Sequence, residues 1–156
     1  MIYVSLLTVI KSKLKILPLS ITCDFEKAFI NAVTKVFPTT VIYGCFFHYK
    51  QAVWRKIQEK MSVIYCKNEA IRKLLKLAQI IAYIPITDVD AIFKKIKESV
   101  NNSYEQFHDI MDFFKYMEET WVGFDQEVLS GRGDFISVYG TSIGEFMIVC
   151  QERIIT

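Results

Sequence analysis

Apolar positions along the chain change their rhythm several times, and each change marks a predicted element. Leu19 to Cys23 is a short unbroken apolar and β-branched run after Pro18, which reads as a strand. Phe25, Ala28, Phe29, Ala32, Val33 and Val36 then recur at helical spacing and predict an amphipathic helix. Phe37-Pro38 ends it, because a proline disfavours helical geometry in the residue before it. Thr39 to Cys45 is β-branched and aromatic, a second strand, and a helix with a basic side follows from about Phe46 to Lys60.

The middle of the chain keeps the helical rhythm. Asn68 to Ala82 predicts a helix with Leu74, Leu75, Ala78 and Ile81 inside. After Pro85, Thr87 is placed to cap a helix running to about Val100, with Asp90 at the capping-box position. Asn101-Asn102-Ser103 reads as a loop, and Tyr104 to Trp121 as a strongly amphipathic helix whose aromatic residues belong to a core. Five of the six glycines lie from Gly123 onward, where periodicity fades; Phe135 to Tyr139 and Phe146 to Cys150 are weak strand candidates. The opening Met1 to Lys13 is apolar for about ten residues, too short for the roughly 20 that span a bilayer and without a signal-peptide pattern. It reads as a buried strand or helix, and its abrupt apolar start is that of a chain beginning inside a domain.

At 156 residues the chain can bury one substantial core. Its 52% hydrophobic content and mean hydropathy of +0.25 point to apolar surface that meets further protein. A net charge of +2 neither demands nor excludes a nucleic-acid partner. Four irregularly spaced cysteines fit reduced thiols in an intracellular, non-secreted protein better than a disulfide framework.

Candidate chemistry gathers between Asp24 and Gln51. Asp24 stands where a strand ends, a position suited either to a metal-binding carboxylate or to capping the next helix. Cys45 and His48 share one side of a helical turn. They form a buried thiol beside a hydrogen-bonded imidazole, or half of a zinc site completed by Cys23 and Cys66. Lys50, Arg55, Lys56 and Lys60, extended by Arg72, Lys73 and Lys76, form a basic face able to follow a phosphate backbone or simply to face solvent. His108 reads as a surface or satisfied histidine, and Arg132-Gly133-Asp134 matches an adhesion tripeptide by letters only.

The ordered set Asp24-Phe25-Glu26-Lys27-Ala28, Asn31-Ala32, Val36-Phe37-Pro38, Gly44-Cys45-Phe46-Phe47-His48, Gln51-Ala52 and Trp54-Arg55-Lys56-Ile57-Gln58 resembles the Mutator-like element (MULE) transposases. Tyr116-Met117-Glu118-Glu119-Thr120-Trp121-Val122-Gly123 is similar to that family's aromatic-Glu-Thr-aromatic-Ile-Gly segment, so the likeness covers roughly residues 15 to 123. The resemblance implies an α/β fold: a partial ribonuclease-H-like core (strand-helix-strand-helix) over 1–60, a mostly helical insertion over 61–123, and a divergent tail over 124–156. It implies a DDE-type nuclear enzyme that cuts and joins DNA with two Mg²⁺ or Mn²⁺ ions. Asp24 becomes the second acid and a metal ligand, and Cys45 and His48 the family's Cys-x-x-His beside the active site. Lys50, Arg55 and Lys56 become DNA-contacting candidates.

Two departures limit the expected activity. The family's first aspartate belongs on an earlier strand, tens of residues before Asp24. Its final glutamate belongs to an Asn-Asn-x-x-Glu-x-x-His-like segment; Thr141-Ser142-Ile143-Gly144-Glu145 keeps only the spacing, and Ile148 replaces the histidine. One carboxylate does not hold two metals, so the expectation is an inactive fragment, or a non-enzymatic module binding DNA or protein. It would hold no metal stably, sit in the nucleus or cytoplasm rather than a membrane, and self-associate or meet protein through an exposed apolar edge.

Overall fold

The computed structural model describes residues 2–122. The predicted tail strands, the Arg132-Gly133-Asp134 tripeptide and Glu145 lie outside the described residues. The order is α1 (Ile2–Lys13), β1 (Ser20–Cys23), α2 (Lys27–Val36), β2 (Val41–Gly44), α3 (Phe46–Lys67), α4 (Glu69–Gln79), α5 (Ile86–Glu98) and α6 (Phe107–Met117). A 3₁₀ turn, Ile80–Tyr83, joins α4 to α5, and a π turn, Glu118–Val122, extends α6.

β1 and β2 pair in parallel, Ser20 opposite Val41 through Cys23 opposite Gly44. Parallel neighbours need a crossover, and α2 supplies it. Ile21 and Ile42 share one face of this small sheet and pack against the layer of α1 and α2, whose core is Leu7, Ala32, Val33, Val36 and Phe37. Thr40 is buried there with its hydroxyl donating to the Pro18 carbonyl at 2.8 Å, which fixes where both strands begin. The larger core lies among α3–α6. α3 presents Tyr49, Val53, Ile57 and Met61, one residue per turn, to Leu74, Leu75, Phe113, Phe114 and Met117.

Several expectations are corrected. α3 runs unbroken through residue 60 to Lys67, and its inner face belongs to the helical core. Nothing in its composition stops it earlier: the next N-cap signal is Asn68, whose Oδ1 accepts the Ile71 N–H at 3.1 Å and starts α4. Thr87 does not cap α5. That helix begins two residues earlier than a Thr87 cap would allow, at Ile86 directly after Pro85, and the Thr87 hydroxyl turns to Asp88 instead. α2 begins at Lys27 rather than Phe25, so its buried stripe is Ile30, Ala32, Val33 and Val36 while Ala28 is exposed. The opening segment is a helix, but only Leu7 of it is buried. Among the described residues no helix is long and apolar enough to cross a membrane.

Candidate functional site

The two parallel strands end side by side, and the residues singled out in the sequence follow from that register. Cys23 is the last residue of β1 and faces Gly44, the last of β2. The Cys45 N–H donates to the Cys23 carbonyl at 2.8 Å, extending the ladder by one step. Asp24 and Cys45 therefore leave the same edge of the sheet, Asp24 toward α2 and Cys45 into α3. This is the carboxyl end of a parallel pair, where α/β folds place ligands.

Asp24 is exposed, and its Oδ1 accepts the Glu26 N–H at 3.2 Å. That local turn leads the chain into α2 without making Asp24 the capping residue, which is Glu26. Glu26 in turn accepts the Tyr3 hydroxyl on both carboxylate oxygens, at 3.0 and 2.8 Å. Phe25, between the two acids, points the other way: its ring meets Trp121 edge to face with centroids 5.0 Å apart. The loop 24–26 is thus tied to α1 on one side and to the end of the helical body on the other.

Cys23 and Cys45 are half-buried free thiols. Burial, then the neighbouring Asp24 charge, then Cys45, push the Cys23 thiol up to about 11. This is the opposite of the electropositive setting that activates a cysteine nucleophile. His48 lies exposed in the first turn of α3, its ring 5.5 Å from that of Phe47. Cys66 is at the other end of α3, about 30 Å away at 1.5 Å per residue. The four-ligand zinc reading fails on that distance. Among the described residues no group of three His, Cys, Asp or Glu side chains is placed to hold a metal ion.

The donor set also decides the fit of Mg²⁺ or Mn²⁺. Such ions take several hard oxygen ligands. Among the described residues, Asp24 already accepts a backbone N–H, Glu26 is engaged by Tyr3, and the neighbouring Cys23 and Cys45 are soft thiols. These residues do not fit a pair of hard cations.

The basic candidates separate on α3. Lys50 stands 5.7 Å over the Phe46 ring. Lys56 bonds Glu59 at 2.6 Å and lies over Tyr116, while Lys60 reaches Asp109 and Asp112 across to α6. Arg55 is exposed and makes no ion pair with any described residue. The basic face is therefore partly neutralised, with Arg55 its clearest open cation.

The sequence predicts only half of the aromatic clamp on the site. Trp121 belongs to a segment whose spacing predicts core, but the same reasoning places Phe25 in the stripe of α2. The signal missed is that an aromatic residue directly after a strand-end acid need not be in the following helix. Comparison with protein-family models, curated proteins and solved structures finds no match for this chain.

Proposed function

We propose that the chain is a fragment of a DDE-type Mutator-like DNA transposase, comprising the second-acid corner of a ribonuclease-H-like core and its helical insertion. By itself it does not cut DNA. The observation that carries this reading is the joint placement of Asp24 and Cys45: each follows one of two adjacent parallel strands, linked by α2, at the same sheet edge. The resemblance puts the second acid and the Cys-x-x-His motif at those two positions. The helical segment whose end resembles the family's aromatic-Glu-Thr-aromatic motif also returns to this edge, through Trp121 on Phe25.

Two-metal phosphoryl transfer clamps the attacking and leaving oxygens between ions held by several carboxylates. The described residues around Asp24 do not supply them, so no catalytic step is assigned to those residues. A strand-transfer assay with element-end DNA and Mg²⁺ or Mn²⁺ tests this. The expected result is no product; product that disappears on Asp24→Asn overturns the inactivity. The family reading is tested separately by the genomic sequence around the coding region. It expects a strand carrying another aspartate upstream and an Asn-Asn-x-x-Glu segment beyond Gly123, and it is abandoned if neither is there.

A non-enzymatic DNA-binding module is the second reading, favoured by the exposed Arg55 beside Lys50 and Lys56 on α3. Binding through phosphates weakens with salt, and losing one contact lowers the log–log salt slope by about 1. This reading expects binding that survives Asp24→Ala and weakens on Arg55→Ala. Binding indifferent to Arg55→Ala counts against it.

A further inference from the structure

The inner side of α3 is filled at one residue per turn by Tyr49, Val53, Ile57 and Met61, which belong to the helical core. The opposite stripe, at steps of three and four, reads His48, Gln51, Arg55, Gln58 and Ser62. Gln51 is half-buried and the other four are exposed. The side chains of Gln51, Arg55, Gln58 and Ser62 make no hydrogen bond or ion pair with any described residue. Glu59 stands on the shoulder of the stripe, but Lys56 engages it at 2.6 Å. The stripe thus presents one unpaired cation, among the described residues, with uncommitted amide and hydroxyl groups on either side of it.

This composition differs from the outward faces of the later helices. α4 carries Glu69 with Lys73, α5 Lys94 with Glu98, and α6 Lys115 with Glu119, each pair four residues apart. Charges paired within one helix suit a surface that only faces water. On α3 the residue four after Arg55 is Glu59, yet that acid goes to Lys56 and leaves the guanidinium open. The stripe also lacks the large apolar side chain that anchors the centre of a protein–protein interface.

We propose that α3 is a recognition helix that enters the major groove of duplex DNA, where Gln51, Arg55 and Gln58 read base edges. This rests on the DNA-binding reading above and adds sequence preference to it. In the major groove an arginine donates twice to guanine, at O6 and N7. A glutamine donates to adenine N7 and accepts from its N6 amino group, and a serine hydroxyl serves either kind of edge. Gln51 to Gln58 spans about 10 Å at 1.5 Å per residue, about three base-pair steps of 3.4 Å. The groove of B-form DNA admits one helix, whereas the deep, narrow major groove of an RNA duplex does not. Duplex DNA is therefore the occupant that the stripe fits.

Selection by the full chain from a pool of random-sequence DNA duplexes tests it, followed by fluorescence anisotropy on the enriched duplex and on a shuffled duplex of the same composition. The enriched duplex is expected to bind about 100-fold tighter than the shuffled one. Gln51→Ala and Gln58→Ala each lower affinity for the enriched duplex about 5-fold or more and leave the shuffled duplex unchanged. Arg55→Ala weakens binding to both, because it removes a charge as well as a base contact. Far-UV circular dichroism shows that each variant folds, as expected for side chains with no partner among the described residues. Binding that weakens on Arg55→Ala with no sequence enriched overturns the recognition role and leaves the DNA-binding reading standing. No binding to any DNA removes both. A preference that survives Gln51→Ala and Gln58→Ala, or tighter binding to single strands or RNA duplexes of the same sequence, also overturns the proposal.

Discussion

Phe25 and Trp121 meet edge to face, 5.0 Å between ring centroids, although they stand near opposite ends of the described chain. Trp121 also abuts Tyr49 at 4.8 Å, and its indole N–H donates to the Tyr116 hydroxyl at 3.0 Å. One side chain therefore closes the helical core and holds the loop that carries Asp24. Trp121→Ala is expected to cost about 3–5 kcal/mol, the usual range for truncating a large buried aromatic. Phe25→Ala costs less because Phe25 is only half-buried. The coupling between them, from a double-mutant cycle in urea, should be about 0.5–1.5 kcal/mol. A loss below 1 kcal/mol for Trp121→Ala would remove the clamp from this account.

What was legible in the sequence, and what was not, follows from the range of the interactions. The strands and α2 are legible from β-branched runs, helical spacing and Pro38, all within a few residues of where they act. The core positions Leu74, Leu75, Ala78 and Ile81 were legible because helical periodicity alone selects them. Phe25 on Trp121, Tyr3 on Glu26 and the Lys60 bridge to α6 were not, because no local pattern specifies which distant surfaces meet. The Thr87 cap failed for a related reason. A capping signal two residues late lost to Pro85, whose fixed φ already suits the residue before a helix.

Tyr49 gives a prediction with a pH sign. Its buried hydroxyl donates to the Ala78 carbonyl at 3.2 Å, and Tyr49→Phe should cost about 0.5–1.5 kcal/mol by removing that hydrogen bond. Burial, with a smaller contribution from Tyr116, holds the phenol far above its ordinary value. A group whose folded value is raised stabilises fully below the unfolded value and loses that contribution above it. Wild-type stability should therefore fall as pH rises past about 10, and Tyr49→Phe should fall less steeply. Equal slopes in the two proteins would contradict the assignment.

Cys23 and Cys66 should separate on alkylation. Cys66 is exposed, whereas Cys23 is half-buried with its thiol raised from 9.0 to about 11. At a given pH Cys23 then holds roughly a hundredth of the thiolate of an ordinary thiol. Iodoacetamide with peptide mapping at mildly alkaline pH should label Cys66 first. Equal labelling rates in the folded protein would show that Cys23 is not shielded. The same shift makes Cys23 a stabilising group below pH 9, with its contribution lost between about 9 and 11.

Lys97 and Glu118 form the least exposed ion pair among the described residues, at 2.7 Å, joining α5 to the π turn that carries Trp121. Lys56 with Glu59 is as close at 2.6 Å but more exposed. Breaking the sheltered pair with Glu118→Gln should cost about 1–2 kcal/mol, since it leaves a partly buried ammonium without its partner. Glu59→Gln should cost less than about 1 kcal/mol. Thermal denaturation of the two variants ranks them, and the reverse order would mean that the π turn is held by packing alone.

Asp24 serves the local fold as well as the candidate chemistry, and two substitutions distinguish the roles. Its Oδ1 accepts the Glu26 N–H at 3.2 Å immediately before α2. Asn keeps an acceptor oxygen in that place, so Asp24→Asn should leave stability within about 0.5 kcal/mol of wild type. Asp24→Ala removes the acceptor and should cost about 0.5–2 kcal/mol, by analogy with the loss of a helix cap. Hydrogen exchange at the Glu26 amide should quicken in the alanine variant and stay slow in the asparagine one. Any effect of Asp24→Asn on DNA binding would then report the charge itself, because the turn into α2 is preserved. If both variants lose equal stability, the carboxylate charge rather than the turn holds this corner.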